Sequence, residues 1–151
     1  MYKLIIGLIV LTFTSVTHAL PSMSGNWNCD MADNENSHIR SNSKLEINTE
    51  LGVYEDNTEV NFSFKEFPSI VFSKKLFTKG TVVVNGGLIY FYPKEATSEV
   101  VNSGPLRKED LEIDGEVEAL LKDGSANIEW FSDYSISLSY TQSNLVFSCQ
   151  K

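Results

Sequence analysis

Nucleophilic and general-base chemistry most often runs through histidine, and His38 is the one histidine beyond the first 20 residues of this 151-residue chain. It lies in a polar stretch (residues 30–43, DMADNENSHIRSNS) with no local serine motif and no cysteine partner, so no nucleophile has a base beside it. Two carboxylates facing each other across a bond, as in glycosidases, are the other route to hydrolysis. The chain has 20 acidic residues to draw on, but no spacing marks out a pair, and no catalytic residue is assigned. Asp110, Glu112 and Asp114, followed by Gly115, put oxygens at positions 1, 3 and 5 and a glycine at position 6 of an EF-hand-like loop. Position 12, where a bidentate glutamate closes the calcium shell, is Leu121. The pattern is therefore an incomplete calcium motif. Two cysteines with one histidine cannot complete a zinc site, so no metal and no cofactor is expected.

The first residues read as an export signal. Lys3 supplies a positive charge, Leu4 to Phe13 form an apolar run, and Thr17 and Ala19 are small residues before a cut after Ala19, with a cut after Ser22 as the alternative. A membrane span needs about 20 apolar residues, roughly twice this run. Residues 1–19 are thus expected to be a signal peptide and residues 20–151 a single β domain, periplasmic or secreted, with no stable membrane insertion after signal removal. In such a compartment Cys29 and Cys149 are most simply one disulfide, two separate thiols being the alternative. Closing so long a loop stabilises a fold by up to about 4–5 kcal/mol in the chain-entropy picture. The net charge of −8 repels phosphate backbones, which disfavours nucleic acid and favours a basic protein as partner.

The elements that would position these side chains are strands. Trp27 and Cys29 share a face, as do Leu45, Ile47 and Leu51, then Tyr54, Val60, Phe62 and Phe64. Gly52 marks a turn, and Phe67-Pro68 interrupts the third run. Asn85-Gly86 between two β-rich runs predicts a hairpin of type I′. Pro93 is expected to end the next strand and residues 94–110 to form a long loop, with room for a short strand at 98–101. Leu111 to Lys122 is the one expected helix, with Val117, Leu120 and Leu121 on one stripe, Asp114 as cap and Gly124 as stop. Strands over 127–131, 134–140 and 145–149 close the chain, with Tyr134, Ile136, Leu138 and Tyr140 on one face and Leu145, Phe147 and Cys149 on another. About eight short antiparallel strands and one short helix predict an all-β, up-and-down barrel, with a β-sandwich as the alternative. A bond between the first and last strands suits the barrel.

Gly25-Asn26-Trp27 resembles the Gly-x-Trp signature that opens the first strand of lipocalins, and Ser132-Asp133-Tyr134 resembles their Thr-Asp-Tyr motif. The Gly25, Trp27, Cys29 and Cys149 pattern is more similar still to small exported bacterial proteins that begin Gly-x-Trp-x-Cys after the signal and end near a cysteine. The final strands carry no arginine where lipocalins have their third motif. This resemblance implies a calycin-like barrel with Gly25 and Trp27 as a barrel-end motif and Trp27 as its plug. It implies no particular activity.

In Tyr90-Phe91-Tyr92 neighbours must alternate, so either Phe91 or the tyrosine pair points outward, as does one of Trp130 and Phe131. Tyr90, Phe91, Tyr92 and Trp130 are therefore the candidate ligand or partner contacts. The expected function is a non-enzymatic, lipocalin-like binding protein that holds a small apolar or aromatic ligand inside its barrel. The alternative is a periplasmic inhibitor or immunity factor that blocks a basic enzyme or toxin. A hydrolase working with carboxylates alone ranks third.

Overall fold

The computed structural model describes residues 21–31, 38–63 and 71–151. The expected signal peptide, the middle of the first loop, Phe64 and the Phe67-Pro68 interruption lie outside the described residues. Eight antiparallel strands follow one another around a closed barrel. They are β1 (Gly25–Met31), β2 (Ile39–Asn48), β3 (Val53–Ser63), β4 (Val71–Asn85), β5 (Leu88–Asn102), β6 (Gly124–Ser132), β7 (Ser135–Tyr140) and β8 (Val146–Gln150). Between β5 and β6 lie a 3-10 turn (Lys108–Leu111) and one short helix, α1 (Glu116–Leu120). The seam closes where Asn28 to Met31 of β1 pair with Gln150 to Phe147 of β8. At its centre Cys29 faces Cys149, and the two are bonded with Cα atoms 4.0 Å apart, closing a loop of 120 residues.

The two ends differ. The lower end collects the start of β1, the turns β2–β3, β4–β5 and β6–β7, and the C-terminus. Alternation directs Trp27, Cys29, Leu45, Ile47, Tyr54, Ile89, Phe91, Ile136, Leu138 and Cys149 into one continuous core. Trp27 plugs this end: its Nε1 donates to Met23 O at 2.9 Å, its ring meets Trp130 edge-on at 6.1 Å, and Lys151 Nζ sits 4.6 Å over its face. At the upper end the wall is uneven. Strands β2 to β5 run long, while β6 pairs with β5 only over Leu88 to Phe91. The upper half of β5 is backed instead by the 3-10 turn and α1.

Several local expectations are corrected. Much of the stretch read as a loop over 30–43 is strand, since β1 runs to Met31 and β2 starts at Ile39. Leu51 sits in the β2–β3 turn at 73% exposure, off the apolar face assigned to it. Pro93 does not end β5, because the register shift between Lys79 and Gly80 leaves Lys94 as an extra, unpaired residue on β5, a bulge directly after the proline. Gly80 permits this, for a Cβ there would overlap the Tyr92 carbonyl oxygen. The β4–β5 turn is centred on Gly86-Gly87, and positive φ is confined to Gly86, the pattern of a II′ rather than a I′ hairpin. The helix is half the expected length and is entered through Gly115 in the left-handed region, with no side-chain cap from Asp114. Gly124 opens β6 instead of stopping a helix. Tyr134 lies in the β6–β7 turn at 69% exposure, beyond an irregularity at Trp130/Ser132 that breaks the alternation.

Candidate functional site

The inward positions of the long strands change character with height. Above the apolar core, β2 contributes Ser43, β3 contributes Asp56 and Thr58, β4 contributes Lys74 and Thr78, and β5 contributes Ser98. Asp56 shares the inward parity of Tyr54 and Val60. Its carboxylate accepts a short hydrogen bond from Ser43 Oγ and longer ones from Thr58 Oγ1 at 3.2 and 3.3 Å. Burial pushes the Asp56 carboxyl above its ordinary range, and the Ser43 and Thr58 hydroxyls pull only partly the other way. Tyr54 and Tyr140 border the same layer. Burial raises both phenols, helped by the nearby Asp56 carboxylate, and Thr78 bonds the Tyr54 hydroxyl. Among the described residues no buried side-chain polar atom lacks a hydrogen-bond partner.

Higher still, Lys74 is 3% exposed yet charged, and it points to a carboxylate brought in from outside the sheet. Its Nζ donates to both Glu116 oxygens, at 2.9 and 2.7 Å, while Ser98 Oγ donates to Glu116 Oε2 at 2.6 Å. A charge so placed is expensive to desolvate unless it is paired and hydrogen-bonded, and three converging bonds meet that condition. Beside the pair lies a cavity of about 240 Å³, lined by Lys74, Ser98, Val100, Lys108, Ile113 and Val117 among others. Two wider grooves lie on the outer wall of β2 to β5. One, of about 380 Å³, sits at the Lys94 bulge with Glu46, Glu55, Lys79 and Glu95, and the other, of about 530 Å³, runs past Lys44, Glu59, Lys75 and Phe77. Charges so regularly spaced would be costly against lipid. Among the described residues no helix is long and apolar enough to cross a membrane.

The residues singled out from sequence are dispersed. Phe91 is inward and buried and Trp130 packs on the core, whereas Tyr92 is exposed and Tyr90 half-buried on the outer face. Phe131, not Trp130, is the outward member of its pair. Asp110 is held by Arg107 through two bonds of 2.8 and 3.0 Å. Asp110, Glu112 and Asp114 are not brought together: among the described residues no three acidic, histidine or cysteine side chains converge as metal ligands would. Sequence reasoning missed Asp56, Lys74 and Glu116. Asp56 had a readable signal, a carboxylate on the inward parity between Tyr54 and Val60. No protein-family model matches this chain, and no curated protein matches it in sequence.

Proposed function

We propose that the chain is an exported, non-enzymatic binding protein, periplasmic or secreted, whose ligand enters the upper mouth of the barrel beneath α1. The disulfide supports the compartment, because such bonds persist where thiols are kept oxidised. The Trp27 plug supports the distant calycin likeness. The observation that carries the reading is the ion pair of Lys74 and Glu116 inside the mouth. A sheet can be closed with apolar side chains at lower cost, so a desolvated lysine beside a cavity is a candidate for recognition. The lower interior is occupied by the chain's own core, which directs the reading from a purely apolar ligand towards one with a polar head.

A second reading has its own support. The acidic chain exposes Phe131 at 62% and Tyr134 beside it at the lower end, an aromatic anchor suited to a basic protein such as an enzyme or toxin. Amide chemical shifts separate the two. Titration with a panel of small carboxylates, amino acids and sugars should move resonances around Val100, Ile113 and Val117 and leave those around Trp27 in place. Movement confined to Phe131 and Tyr134, and only on adding a cationic protein, would favour the second reading.

A further inference from the structure

The two halves of the Lys74–Glu116 contact are held very differently. Lys74 and Ser98 stand on β4 and β5, which pair along nearly their whole length. Glu116 stands on a helix of five residues, none of them buried, entered through a left-handed glycine with no side-chain cap. The receptor half is rigid and the carboxylate half is weakly anchored. Next to the contact is unfilled volume, bordered by Val100, Ile113 and Val117, by a second lysine, Lys108, and by the carboxylates of Glu99 and Glu112.

We infer that Lys74 and Ser98 form a carboxylate-binding site in the barrel mouth, that Glu116 is its internal occupant, and that the ligand is a short-chain aliphatic carboxylate which displaces Glu116. The inference rests on the mouth being the binding site and names the chemistry that it recognises. Charge dictates the class. With Glu116 withdrawn, Lys74 would be a buried cation without a partner, so a neutral ligand cannot take the place and an anion can. Two acceptor oxygens on one carbon match the present bonding, in which Nζ donates to both and Ser98 Oγ donates to one. The apolar border accepts a hydrocarbon tail, and a volume near 240 Å³ lies below the range for drug-sized ligands, which limits the tail to a few carbons. No bond is made or broken. Glu116 moves to solvent, and α1 loses its main tie to the barrel.

Calorimetric titration of the folded, exported chain with hexanoate tests this, with hexanamide as the neutral probe. Hexanoate should bind and hexanamide should not. In Glu116→Gln the internal competitor loses its charge, and hexanoate should bind at least tenfold more tightly. Lys74→Met should abolish binding. Should that variant fail to fold, Ser98→Ala should still weaken hexanoate severalfold while leaving the far-ultraviolet spectrum of the barrel unchanged. On binding, amides of residues 116–120 should exchange faster with solvent. Equal hexanoate affinity in the parent and Glu116→Gln, or hexanoate binding that survives Lys74→Met, overturns the inference. If hexanoate fails but another small molecule moves the same mouth resonances, this inference falls and the proposed function stands. If nothing moves the mouth, both fall.

Discussion

Asp56 is the residue whose surroundings most constrain its chemistry. Its carboxyl faces inward among Ser43, Thr58 and the rings of Tyr54 and Tyr140, and burial favours the protonated form. The folded state therefore holds a proton that the unfolded chain releases. That contribution to stability is complete below the ordinary carboxylate range and is lost as pH rises through the folded value. Asp56→Asn should remove this slope and raise stability at neutral pH by about 1 kcal/mol, since an amide keeps the Ser43 bond without the buried charge. Urea midpoints of parent and variant at acidic and neutral pH check both statements. Tyr54 and Tyr140 obey the same sign at the alkaline end, because their raised phenols stay protonated in the fold. At this scale the sequence was legible where parity alone decides, as for Trp27, Leu45 and Ile47, while for Phe91 it left the facing open. Lys74 was hidden by residue type and not by parity: it shares the inward parity of Thr78, Val82 and Val84, but a lysine in a Ser73-Lys74-Lys75 run reads as solvated unless its partner Glu116, 42 residues on, is known.

Two elements owe their form to backbone requirements. The β5 strand passes through Pro93 because it bulges at Lys94 and comes close to Gly80 on β4, where a side chain would strike the Tyr92 carbonyl. Gly80→Ala should cost about 2 kcal/mol or more, read as a fall in thermal midpoint, whereas Gly86→Ala, with open space but positive φ, should cost about 1 kcal/mol. The helix α1 is tied to the barrel by the Glu116 carboxylate, with Val117 and Leu120 half-buried beside it. Glu116→Ala should destabilise by about 3 kcal/mol because Lys74 is left buried and unpaired, while Lys74→Met combined with Glu116→Leu should come close to neutral. Denaturant unfolding of the single and the double variant beside the parent decides the point. The existence of this helix was readable from Val117, Leu120 and Leu121. Its length was not, because the apolar stripe carried no information about the left-handed Gly115 or the 3-10 turn before it.

For the whole molecule, the ring and its fastening were both readable from the chain's two ends. Cys29 beside Trp27 and Cys149 beside Phe147 share the inward face, and antiparallel pairing of β1 with β8 brings the sulfurs together. Reduction, or Cys29→Ser with Cys149→Ser, should lower stability by up to about 4–5 kcal/mol, measured by denaturant unfolding with and without reductant. What composition could not convey is the division of labour along the barrel axis. The lower half is a filled apolar frame closed by a tryptophan, and the upper half is a polar mouth spanned by a helix that is weakly fixed. The most direct test of that division is the ammonium resonance of Lys74 in a chain labelled with ¹⁵N-lysine. It should be resolved, shielded from solvent exchange, and displaced on adding hexanoate while the Trp27 indole signal stays fixed. A Lys74 signal that exchanges freely and ignores every small anion, with responses confined to the outer wall, would contradict the account.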